Sequence, residues 1–73
     1  MSQQKNIKIL QKVAKKLKEI REQKGLSQQE VYDDTDIHIA RIEATNLNIT
    51  IITLSKLCEY YEVTLNEFFQ KFN

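Results

Sequence analysis

The chain has no proline, one glycine (Gly25), one cysteine (Cys58) and one histidine (His38) among its 73 residues. So few breakers leave little room for the many turns of a β-rich architecture, and they predict helices joined by very short connections. A lone cysteine excludes a disulfide framework. One Cys and one His are too few for a zinc site of the usual kinds. No apolar run approaches the ~20 residues a membrane helix needs, and the stretch from Met1 to Asn6 is polar. Neither a membrane span nor a signal peptide is therefore expected, and the cytoplasm is the default compartment. With no glycine-rich loop and a single His and Cys, no catalytic constellation can be assembled, so an enzyme, a cofactor or a small-molecule substrate is not expected.

What is present is a soluble, foldable composition, 41% hydrophobic and 29% charged. The length suits one domain over residues 1–73, near the lower limit at which a hydrophobic core suffices alone. The net charge is only +1, but it is unevenly spread. Residues 1–25 hold eight of the eleven Lys/Arg against Glu19 and Glu22, a net +6. Residues 26–73 hold Arg41, Lys56 and Lys71 against eight acids, a net −5. One end of the chain can meet a polyanion and the other cannot.

Periodicity places the helices. Ile7, Leu10, Val13, Ala14, Leu17 and Ile20 share one face of a first helix over about Gln4 to Lys24, with most of its lysines on the other faces. Gly25 follows where a helix end favours a left-handed residue. Ser27-Gln28-Gln29-Glu30 is a capping box opening a second helix anchored by Val31. That helix is expected to be short, because Asp33-Asp34-Thr35-Asp36 favour caps and turns over helix interiors. A third helix carries Ile37, Ile39 and Ile42 as its apolar positions, and Ala44 to Ile49 reads as a loop. Thr50 caps a fourth helix carrying Ile51, Leu54, Leu57, Cys58 and Tyr61. Thr64-Leu65-Asn66-Glu67 is a second capping box, opening a last helix with Phe68, Phe69 and Phe72. The expected fold is all-α, a compact five-helix bundle.

Leu26-Ser27-Gln28-Gln29-Glu30-Val31, followed by Arg41-Ile42-Glu43, resembles the phage repressor and Cro family of helix-turn-helix transcription regulators. The resemblance extends over roughly Leu17 to Phe69, through Leu17-Lys18-Glu19-Ile20-Arg21, Thr53-Leu54-Ser55-Lys56-Leu57-Cys58 and Val63-Thr64-Leu65-Asn66-Glu67-Phe68. It implies the lambda-repressor-like bundle, with a helix-turn-helix unit over about 27–44. It further implies double-stranded DNA as partner, a third helix in the major groove and a homodimer. By position in that pattern, Ser27 and Gln28 fall where a backbone phosphate is held, Thr35 and His38 where the third helix opens, and Arg41 where a base edge is read. Asn46 and Asn48 fall in the loop that touches phosphates. The resemblance also implies that Glu43 pairs with Arg21.

The chain departs from the family pattern in three places. Between Val31 and Ile42 it is about three residues shorter, so a tightening of the second helix or its turn is expected. Asp36 stands where the turn ordinarily has glycine, and Thr45 where a glycine ordinarily follows the third helix; Asn46 is then expected to take the left-handed conformation. The residues opening the third helix include Asp36, which repels phosphates but can accept from cytosine N4.

Each feature also has a plainer reading. Arg41 can be a surface arginine paired with Asp33 or Asp34, and His38 a solvated side chain. The first-helix lysines are read mainly as a solvated face, with Lys5 and Lys8 as weak phosphate candidates. Cys58 is expected to be a small buried hydrophobe. The rings of Phe68, Phe69, Phe72 and Tyr60 serve either the core or a dimer contact. The alternative function is a protein-interaction module with the same fold that does not bind DNA. A basic amphipathic membrane binder comes third.

Overall fold

A computed structural model of the chain describes residues 2–44 and 48–70, with side chains from Lys8 onward. Among the described residues there are five α-helices: α1 (Ser2–Gln23), α2 (Gln28–Thr35), α3 (Ile39–Glu43), α4 (Ile51–Tyr61) and α5 (Leu65–Phe69). Among the described residues no helix is long and apolar enough to cross a membrane.

α1 is 22 residues, about 33 Å long at the usual rise. Its inward stripe is Val13, Ala14, Leu17 and Ile20, all buried. Before Val13 the helix overhangs the core, for Lys8, Ile9, Gln11 and Lys12 are exposed and Leu10 is half-buried. At the other end Gly25, at φ 71°, closes a Schellman turn. Its N–H donates to Glu22 O at 3.0 Å, and the Leu26 N–H to Arg21 O at 3.1 Å.

The remaining caps follow from side-chain chemistry. Thr64 and Glu67 form their reciprocal box, and the Thr50 hydroxyl accepts from the Thr53 N–H. α4 ends on Glu62 at φ 63°, a residue the sequence does not mark for that conformation. Its buried stripe is Leu54, Leu57, Cys58 and Tyr61, to which α5 adds Phe68. Burial of such a side chain contributes about 1.5–3 kcal/mol, enough in sum to order short helices that would not stand alone.

The apolar residues of α4 and α5 divide between core and surface. Ile51 is not part of the core but 71% exposed, as is Ile52 at 69%. Ile51 continues the Leu54–Leu57–Tyr61 stripe at the very first helical position, one turn before that stripe meets the core. Of the α5 rings, Phe68 is buried and Phe69 is 44% exposed, edge-on to Phe68 at 5.1 Å; Phe72 lies outside the described residues. Cys58 is buried as expected, and burial pushes its thiol upward in pKa.

Between Val31 and Ile42 the chain completes α2, makes a three-residue turn and starts α3. α2 runs eight residues straight through Asp33, Asp34 and Thr35, whereas α3 has five. Side-chain bonds, two local and one from α4, hold α2 together where propensity alone would end it. Gln29 Nε2 donates to Asp33 Oδ1 at 2.9 Å, Tyr60 donates to Asp34, and the Thr35 hydroxyl donates to Val31 O at 2.7 Å. Ile37, expected on the third helix, lies half-buried in the turn.

Candidate functional site

The turn between α2 and α3 is made by Asp36 at φ 61°, whose N–H donates to Tyr32 O at 2.8 Å. Asp36 thus takes the left-handed position expected of it. Thr35 does not open the third helix; it is the last residue of α2. Its hydroxyl is spent inside the fold, donating to Val31 O and accepting from the Ile37 N–H at 3.1 Å. His38 stands at the start of α3 but makes no capping bond. Its exposed ring lies 4.8 Å from the ring of Tyr32.

A polar clamp sets α3 against α1 and α2. Arg21 Nε donates to Glu43 Oε2 at 2.7 Å and Nη2 to Oε1 at 3.0 Å, the bidentate geometry of a guanidinium on a carboxylate. The third nitrogen, Nη1, donates to Leu26 O at 2.7 Å, tying in the turn before α2. Gln28 Nε2 donates to Glu43 Oε1 at 2.9 Å. Both charged side chains are nearly closed to solvent, at 10% exposure for Arg21 and 4% for Glu43. The Glu43 hydrogen bond holds the guanidinium pKa above its ordinary value, outweighing the opposing effect of burial. Nearby, the buried Tyr61 hydroxyl has no hydrogen-bond partner among the described residues, and burial pushes its pKa up to about 12.

Outside the clamp several polar groups remain exposed. Ser27 Oγ accepts from the Glu30 N–H at 3.0 Å, while the Ser27 N–H donates to Glu30 Oε1 at 2.8 Å. The Ser27 hydroxyl proton remains available as a donor. Gln28 gives one amide N–H to Glu43 and keeps the other. Arg41 is exposed, and among the described residues no carboxylate lies in salt-bridge range of it. Asp33 and Asp34, its expected alternative partners, are engaged by Gln29 and Tyr60. Asn48 is exposed ahead of α4, and Asn46 lies outside the described residues, as does the expected left-handed turn there.

Three residues that sequence reasoning passed over join this face. Gln29 and Tyr32 of α2 and Ala40 of α3, together with Gln28, His38 and Ile39, line an open groove of about 470 Å³. The signal was available in part, since 28, 29 and 32 share one helical face by spacing. The ring contact that shapes the groove was not.

The helix-turn-helix family model matches residues 17–68. No curated protein and no solved structure matches the chain. The matched span starts on the buried stripe of α1, contains the clamp and the α2–turn–α3 unit, and ends within α5. On that ground the protein belongs to the helix-turn-helix family of DNA-binding transcription regulators, of the Cro/repressor type with the lambda-repressor-like fold.

Proposed function

We propose that the protein is a sequence-specific transcription regulator, without enzymatic activity, that places α3 in the major groove of duplex DNA. The observation that carries this reading is Arg41, an exposed guanidinium with no carboxylate in salt-bridge range among the described residues, on a helix that Arg21, Glu43 and Gln28 hold in place. A guanidinium matches guanine O6 and N7 bidentately. The Ser27 hydroxyl and the free Gln28 N–H serve a backbone phosphate at the start of α2, where the helix dipole also favours an anion. His38 adds a donor beside the base edge, and Asn46 and Asn48 contact the backbone further along. Thr35 acts by supporting the turn, since both of its hydrogen bonds are internal. Affinity then comes from phosphates and falls with salt, and specificity comes from α3.

The protein binds as a two-fold dimer on half-sites about one helical turn apart. The exposed Phe69 and Leu65 of α5 supply apolar surface for that contact. Sedimentation shows a concentration-dependent dimer in this reading, and a strict monomer at high micromolar concentration removes it.

Selection from a random duplex library at near-physiological salt tests the whole proposal and is expected to return a palindromic consensus. On that site Arg41→Ala costs about 1–3 kcal/mol and relaxes one base position. Equal affinities of variant and parent remove Arg41 from the reading surface. A second reading, a protein-interaction module on the same fold, is favoured by the exposed Asp33, Asp34 and Asp36 beside a reading helix of only five residues. Absence of any enrichment from a folded sample turns the assignment to that reading.

A further inference from the structure

We infer that the groove between α2 and α3 is a specificity pocket for the 5-methyl group of one thymine in each half-site. This rests on the DNA-binding reading and deepens it. Ile39, 1% exposed, gives the groove an apolar floor. The Tyr32 and His38 rings, 4.8 Å apart, form one wall, and the exposed Ala40 methyl stands on α3 next to Arg41. Among the described residues neither a carboxylate nor a lysine lines it.

The rim is polar, and its orientation is fixed by chemistry. A carboxylate only accepts, so the Gln28 and Gln29 amide nitrogens face Glu43 and Asp33, and the amide oxygens face elsewhere. Those oxygens are left to accept from a base amine. An apolar concavity edged with acceptors, on the helix that carries Arg41, has one counterpart in a major groove. Base edges there present hydrogen-bond donors and acceptors everywhere except at the thymine C5-methyl, the single apolar group on offer. Ala40 and the Tyr32–His38 wall therefore read thymine, while Arg41 reads the neighbouring guanine.

The test uses the full chain and its selected duplex, with each thymine replaced singly by deoxyuridine, which removes the methyl and nothing else. One thymine per half-site is expected to lose roughly three- to fivefold in affinity on losing its methyl, the effect of burying one such group. Ala40→Gly brings that thymine-to-uracil ratio close to one. Ala40→Val fills the groove without an added glycine, and it weakens binding to the thymine duplex more than to the uracil duplex. Circular dichroism on both variants shows that the helices are intact. Equal affinities for thymine and uracil at every position of a tightly bound site overturn the pocket and leave the DNA reading standing. A methyl effect that persists undiminished in both Ala40 variants also overturns it, by placing the contact elsewhere. Failure to select any sequence overturns the DNA-binding reading and the pocket together.

Discussion

α2 opens on a reciprocal capping box at Ser27 and Glu30 and stops on a left-handed Asp36, so both of its ends are fixed by its own residues. α3, three residues shorter, opens on His38 with no side-chain cap, and its early bonds are long, with the Ile42 N–H 3.4 Å from His38 O. What holds α3 is tertiary: Ile39 and Ile42 in the core, and Glu43 in the clamp with Arg21 and Gln28. A five-residue helix gains almost nothing from propagation, so its position depends on what it packs against. The helix proposed to read bases is thus held by the rest of the molecule, whereas the ends of the helix beside it are set by local sequence.

The largest expected effect comes from breaking that tertiary support. Arg21→Met leaves the Glu43 carboxylate, 4% exposed, without its cation. Removing one partner of a closed ion pair costs about 3–5 kcal/mol. That is a large share of the roughly 4–11 kcal/mol expected for a domain of this size at the usual stability per residue. Thermal unfolding measures the loss. The double variant Arg21→Met, Glu43→Leu regains most of it, because no uncompensated charge remains. A loss below about 0.5 kcal/mol for the single variant shows instead an ordinary surface pair.

Ser27→Ala, by contrast, attacks α2 through its own cap. It removes the acceptor for the Glu30 N–H and costs about 1 kcal/mol. Hydrogen exchange sharpens the comparison: the Glu30 amide loses protection, while the Ile42 amide of α3 changes only with global stability. Equal added loss at both positions shows that α2 and α3 open as one unit, and the contrast between locally and tertiarily held helices then fails.

The same contrast governs what could be read without coordinates. The capping boxes, the left-handed turn at Gly25 and the burial of Cys58 follow from residues within a few positions of one another and were legible, whereas Asp36 was placed at its turn through the family pattern. The Arg21–Glu43 pair, 22 residues apart, was reached only through the family resemblance. Where α2 ends was misjudged, because Asp33 and Asp34 are poor helix formers by themselves. The bonds from Gln29 and Tyr60 that retain them depend on partners 4 and 26 residues away. Glu62 at φ 63° gave no signal, since nothing in its chemistry favours that conformation over its neighbours. The groove needed two rings from different helices to meet. The exposure of His38 and Arg41 was legible from helical spacing, but how each hydrogen-bonding group around them is committed was not.

The smallest expected effect separates conformation from charge at Asp36. Its φ of 61° is tolerated by aspartate but costs glycine nothing, so Asp36→Gly relieves strain at the turn. The relief is partly offset by the greater freedom of glycine in the unfolded chain, leaving a net gain of about 0.5 kcal/mol. Asp36→Asn keeps the tolerance for a left-handed backbone and removes only the charge, so its stability stays within about 0.5 kcal/mol of the parent. The two variants should nevertheless behave alike toward DNA. Each deletes a carboxylate beside α3 that repels phosphates, so each raises duplex affinity, and more at 50 mM than at 200 mM salt because the repulsion is screened. Affinity that rises with glycine and not with asparagine assigns the effect to backbone geometry. Affinity that falls with both variants makes the Asp36 carboxylate a direct contact, accepting from a cytosine amine in the major groove.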